Sequence, residues 1–226
     1  YLPEGGLNLE GRATVNGIHV TLCLNGQTLT GKTANRTFFI LNGGELTICD
    51  CSEHETGKVV AQGENKENGG NIMIGSKSTL NLQGGTIMGG SVKDGMLGDV
   101  INIVGNTAGN GVLNMTGGRI VGGDADVATG GDVYIAGTLN ISGGQIEGMV
   151  VPAGGALSKI NISAGAKIAG KETNLYLPAG KLINVDGILE ESALIGVTLA
   201  SGSGTFTQDT DAQNAGAFTA DDHENY

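Results

Sequence analysis

Tryptophan is missing from this 226-residue chain, aromatic residues make up only 4% of it, and prolines number three. An aromatic-rich globular core is therefore excluded. Positive charge is also scarce: 12 Lys and Arg face 23 Asp and Glu, for a net charge of −11. That balance excludes nucleic acid and anionic membrane surfaces as partners. No apolar run approaches the ~18 residues of a membrane span, so no membrane insertion is expected in this segment. No signal peptide is visible, and a chain opening on Tyr1 reads as a trimmed piece whose missing signal says nothing of destination. The three histidines, His19, His54 and His223, are far apart, and no Ser–His–Asp or Cys–His constellation is legible.

What is abundant is glycine, at 42 residues, and it recurs in register with Ile, Leu and Val. The stretch Leu113–Gly123, LNMTGGRIVGG, repeats Leu80–Gly90, LNLQGGTIMGG, and returns at Leu139–Gly148 as LNISGGQIEG. Looser copies follow at Ile160–Gly170, INISAGAKIAG, and Ile183–Leu189, INVDGIL. Each copy carries apolar–Asn–apolar, then a turn with Gly, then a lone Ile: Ile87, Ile120, Ile146, Ile168 and Ile188. The asparagines Asn81, Asn114, Asn140, Asn161 and Asn184 are spaced by 33, 26, 21 and 23 residues. A period in the low twenties, stretched by insertions, is the signature of a solenoid. Apolar–polar–apolar alternation marks strands with the apolar side chains inside, and Gly pairs allow sharp corners.

Three columns of strands can be followed along the chain. The first holds Ile72-Met73-Ile74, Ile101-Asn102-Ile103, Val133-Tyr134-Ile135 and Leu175-Tyr176-Leu177; the second holds the asparagines; the third holds the lone isoleucines. The coil around Val150–Ser158 lacks a clear first strand. Three short faces per coil predict an all-β fold, a single-stranded right-handed parallel β-helix (solenoid) of about seven coils with almost no α-helix. The predicted domain is 1–207, with 208–226 an acidic C-terminal cap or a linker to a following module. The variable loops Gln62–Gly70, Gly89–Asp99 and Gly122–Asp132 all join the third column to the first, so stacking gathers them on one side.

The cysteines are Cys23, Cys49 and Cys51. They share outward parity on adjacent coils, so Cys23 can bridge to Cys49 if those two are in register, and the plain reading is free or one-bridge structural cysteines. The spacing C-x25-C-x-C, with no His at ligand spacing, argues against zinc. The asparagine column reads as a stacked amide ladder that stabilises the rod. As an alternative it is a flat polar strip for sugar hydroxyls. Phe39, Met73, Tyr134 and Tyr176 share outward parity in the first column, and Phe39, Tyr134 and Tyr176 are the candidate ligand-binding aromatics unless a loop or neighbour covers them.

LCLNGQTLTG at Leu22–Gly31, LTICDCS at Leu46–Ser52, the GG-x-Ile-x-Gly-Gly repeats, GGDVYI at Gly130–Ile135 and the close ALIGVTL…GTFT resemble a pattern of large secreted surface proteins of anaerobic Gram-positive bacteria. The resemblance covers roughly residues 7–207. It implies a pectin-lyase-like right-handed β-helix in an extracellular, cell-surface setting, with members that look like stalks or adhesins. The expected function is structural or adhesive, a stiff rod displaying loops toward a host or environmental glycan or surface protein, with no cofactor.

The alternative is a carbohydrate-active enzyme, a polysaccharide lyase or glycoside hydrolase. Its pool of acids would be Asp94, Asp99, Asp124, Asp126 and Asp132, with Lys93 and Arg119 nearby. Gly122-Gly123-Asp124-Ala125-Asp126 resembles half of a calcium-binding nonapeptide, which makes Asp124 and Asp126 the Ca2+ candidates. It is a single copy, and such sites need successive turns to share the ion. A third possibility is a passive spacer with no ligand.

Overall fold

The computed structural model describes all residues except 33–34, 66, 94, 124, 129, 209 and 222–226, and residues 64 and 65 by backbone alone. Among the described residues the chain is all-β, its only helix the short 3-10 segment Ala212–Ala217. Strands recur in threes. Phe38–Leu41, Glu45–Cys49 and Lys58–Asn65 make one pass, and Ile72–Ile74, Thr79–Leu82 and Thr86–Val92 the next. Each pairs in parallel with its counterpart a pass earlier or later. The second column is an eight-stranded sheet. The first and third join through Leu194–Leu199 into one sixteen-stranded sheet. Long parallel sheets visited in turn are compatible with a β-helix or solenoid.

The repeat sets the register. Leu80, Leu113, Leu139 and Ile160 stand in line, and so do Asn81, Asn114, Asn140, Asn161 and Asn184. Slipping any strand by one residue would turn its leucines outward and its asparagine into the core, so the pattern admits one pairing. The inward side chains are aliphatic and close to fully buried, among them Ile74, Leu82, Ile103, Leu113 and Ile146. Burying each contributes about 1.5–3 kcal/mol. Among the described residues Phe38 is the one aromatic buried in this core. The low aromatic content thus matches an interior only a few aliphatic side chains wide.

The Gly-Gly corners serve two separate needs. The second glycine takes a left-handed backbone, as at Gly118 (φ 69°) and Gly144 (φ 75°). The first lies against the pass beneath: a Cβ on Gly117 would sit 2.3 Å from the Gln83 carbonyl oxygen, and one on Gly143 2.5 Å from that of Thr116. Neither position has room for a side chain.

Three expectations need correction. Val150–Pro152 is a first-column strand, pairing Tyr134 with Val151; Val-Val-Pro hides it because it does not alternate. Ile188 is not the last lone isoleucine of the third column, since it is 61% exposed; Ile195 pairs with Ile168 in that place. The cysteine bridge also differs, as described below. Beyond residue 207 the described chain adds the strand Phe218–Ala220 to Leu194–Leu199, with Phe206 edge-on to Phe218 at 5.4 Å. Asn214, 2% exposed, ties this end down by accepting from Leu189 N–H and donating to the Gly187 carbonyl.

Candidate functional site

The outward face of the second column carries the most regular polar array. The Asn184 amide donates to the Asn161 side-chain oxygen (3.3 Å), Asn161 to Asn140 (2.6 Å), Asn140 to Asn114 (2.8 Å) and Asn114 to Asn81 (2.9 Å). Asn81 ends the series on the Glu45 carboxylate (2.7 Å) and the Thr47 hydroxyl (3.3 Å). All the amides point one way because parallel in-register strands present the same side chain in the same pose at each level. Two residues on, Thr116, Ser142, Ser163 and Asp186 stand beside this ladder, and together they line an open groove of about 660 Å³. From Asn114 to Asn161 each ladder amide uses one of its two N–H groups and one lone pair of its oxygen. Each of those levels therefore has a further donor and acceptor to offer, repeated at the strand spacing of about 4.8 Å.

The outward row of the first column is less open. In order it runs Thr14, Phe39, Met73, Asn102, Tyr134 and Val151, so the aromatics do not form a continuous platform. Two guanidinium groups stand over the Phe39 ring, Arg12 at 5.0 Å and Arg36 at 4.9 Å from the ring centroid. Arg36 is 4% exposed and donates to Glu67 (2.6 Å) and to the Met73 sulfur (3.0 Å). Burial lowers its pKa, while Glu67 acts to raise it. The Phe39 face is thus occupied by the protein's own cations, and that ring is not an open stacking surface. Tyr134 and Tyr176 are half-buried, with Tyr134 beneath Gly130. The inserted loops gather on this side as expected. Gly69 N–H donates to the Leu97 carbonyl, Asp99 N–H to that of Gly131, and the Asn102 amide to that of Leu97.

Of the acids singled out in the sequence, Asp94 and Asp124 lie outside the described residues, and with Asp124 goes half of the Ca2+ candidate pair. Asp126 is exposed. Asp132 is 1% exposed, and its carboxylate accepts from Gly123 N–H and Met149 N–H, both at 2.8 Å. It belongs to a set invisible to motif reasoning. Asn71, Asp132 and Asn174 each stand one residue before a first-column strand and bridge the corner by hydrogen bonds. The legible signal was a lone Asn or Asp directly ahead of apolar–x–apolar, in NIMI, DVYI and NLYL.

Asp99 accepts from Val92 N–H, and its pKa is raised, first by burial and then by the charges of Asp132 and Asp126. An acid whose folded pKa is raised loses stability as pH climbs through that value, because the folded state holds its proton more tightly than the unfolded chain. Asp99→Asn is therefore expected to raise the melting temperature at neutral pH. The difference should vanish below about pH 3, where both states of the parent are protonated. Melting curves of the two proteins between those pH values check this.

The disulfide joins Cys23 to Cys51, with Cα atoms 6.1 Å apart, and Cys49 is a free thiol. Cys23 does pair in register with Cys49. Parallel in-register neighbours, however, hold their Cβ atoms a full strand spacing apart, about 4.8 Å, beyond the 3.5–4.5 Å a disulfide spans. Cys51 lies past the end of its strand, where the chain turns back toward Cys23. Asp50 holds that turn: its carboxylate accepts from the N–H groups of Gly26 (2.8 Å), Ser52 (3.1 Å) and Gly57 (2.5 Å). Burial acts to raise the Asp50 pKa, but these donors outweigh it and hold the carboxyl below its usual range.

Among the described residues no helix is long and apolar enough to cross a membrane. Comparison with protein-family models, curated proteins and solved structures returned no match.

Proposed function

We propose that the chain is a segment of an extracellular bacterial surface protein. In this reading a single-stranded right-handed parallel β-helix of about seven coils acts as a stiff rod that presents a contact face to a glycan. The observation that carries this is the one-directional amide ladder with its flanking hydroxyls. A chain of sugars offers hydroxyls that both donate and accept, and each ladder level from Asn114 to Asn161 offers one of each. The donors are held in place before contact, so little side-chain entropy is lost on binding. The net charge of −11 favours a neutral glycan over an acidic one. The resemblance of the repeats to secreted surface proteins supports the setting. The occupied carboxylate of Asp132 speaks for a non-catalytic rod over the carbohydrate-active enzyme.

A glycan-array screen run beside a polysaccharide degradation assay, with and without Ca2+, tests this. Binding without turnover is expected. Asn140→Ala should weaken that binding about five- to tenfold, the worth of roughly one hydrogen bond. It should also lower stability by about 1–2 kcal/mol, since it breaks the ladder on both sides. Tyr176→Ala, on the other face, should leave binding unchanged. Turnover would overturn the proposal in favour of the enzyme. Silence in both assays would leave a passive spacer.

A further inference from the structure

The sulfurs of Cys23, Cys49 and Cys51 all lie within 4.8 Å of one another. Sequence spacing conceals this, because 26 residues separate Cys23 from Cys49 along the chain while stacking sets them side by side. Two of the three are bonded; the third is a thiol at their side. Three features make the cluster a built site. Cys23 is 5% exposed and Cys49 half-buried, while Cys51 faces solvent, so the group is closed on one side and reachable on the other. The Cys51 backbone N–H donates to the Cys23 sulfur at 3.2 Å, a contact that favours a thiolate there. Asp50, between Cys49 and Cys51, is locked by three backbone N–H groups and so fixes the backbone that carries both.

We propose that in the reduced protein Cys23, Cys49 and Cys51 form a three-thiolate site for a soft divalent cation such as Zn2+ or Cd2+, and that the Cys23–Cys51 disulfide is its closed state. Thiolates suit such ions. Tetrahedral coordination at about 2.3 Å from each sulfur asks for sulfurs about 3.8 Å apart: Cys23 and Cys51 part to that distance once their bond is reduced, and Cys49 already lies within 4.8 Å of both. The fourth position faces solvent on the Cys51 side and is filled by water or a thiol.

The chemistry balances as follows. A dithiol reductant supplies two electrons and two protons, the Cys23–Cys51 bond breaks to two thiols, and the dithiol leaves as its own disulfide. Metal binding then breaks three S–H bonds, forms three S–metal bonds and releases three protons to the buffer. Oxidation leaves one thiol, which cannot hold the ion.

The test uses the whole chain, reduced with excess dithiol, freed of it without air and titrated with CdCl2. The expected result is a thiolate-to-cadmium absorption band that saturates at one ion per chain and protection of all three cysteines from alkylation. Cys49→Ser, which keeps the Cys23–Cys51 pair and its fold when oxidised, should bind Cd2+ at least tenfold more weakly once reduced. The oxidised parent should give no such band. A folded, reduced protein without the band at stoichiometric Cd2+ would overturn the proposal. So would equal affinity in Cys49→Ser. If reduction itself loosens the strands, Cd2+ must restore their circular dichroism, and failure to do so counts against the site equally.

Discussion

Leu139→Ala is expected to remove about 3–5 kcal/mol of stability and to lower the melting temperature by roughly 10 °C. Leu139 is fully buried and stands in register between Leu113 and Ile160, with Ile146 on the third column of the same pass also fully buried. Removing three carbons opens a void that the neighbours cannot fill by shifting. Their strands are held above and below by the backbone pairing and, on the outer face, by the Asn114–Asn140–Asn161 hydrogen bonds. In a stacked array each pass is stabilised mainly by the two beside it, so one weak pass loosens both of its interfaces. The denaturation curve of the variant should therefore broaden or split, while that of the parent stays single. Leu139→Ile keeps the volume and should lose less than about 1.5 kcal/mol. A loss below 1 kcal/mol for Leu139→Ala would mean that the aliphatic stack is loosely packed.

Asp132→Asn should lose about 2–4 kcal/mol although it is nearly isosteric. Both carboxylate oxygens accept backbone N–H groups, from Gly123 and from Met149. In the amide one of these oxygens becomes an NH2, which then meets an N–H with nothing to accept it. Space is also tight. A Cβ at Gly122 would lie 2.1 Å from the Asp132 carboxyl carbon, and one at Gly148 2.9 Å from its oxygen, so the side chain has nowhere to turn. The same variant separates the two functional readings. In a rod, Asp132→Asn loses stability and the surviving folded protein binds glycan as before. In an enzyme that used Asp132 as acid or base, turnover would collapse with stability little changed. Unfolding in denaturant, together with the array and degradation assays, reads both.

Much of this was legible because the repeat is written in side chains. The Leu-Asn-x pattern sets which residues face inward, and in-register stacking follows once the leucines must stay buried, so the asparagine column could be identified as a column. The Asn-Gly turn at Asn25-Gly26 also shows in the sequence, and both residues take left-handed backbone there (φ 52° and 71°). Other features depend on where separate passes meet. Phe39 and Tyr134 look alike in parity, yet Arg12 and Arg36 stand over the first ring, and residues 27 and 3 positions away from Phe39 give no sign of that in one dimension. Asp132 reads as a loop acid because its partners, Gly123 and Met149, belong to a corner and to the next pass. Val150–Pro152 is a strand by virtue of its neighbour Tyr134, since its own three residues do not alternate.

The sequence alone thus determined the strand periodicity, the aliphatic interior, the acidic balance and the line of asparagines, because each is a property of local alternation or of composition. Tertiary structure decided which acids are buried at corners, which aromatics are covered and which cysteines are joined. Those depend on the distance between passes and on the direction of each Cβ. Cys23 shows the division most plainly: the repeat aligns it with Cys49, while the geometry of parallel neighbours and the turn held by Asp50 deliver it to Cys51.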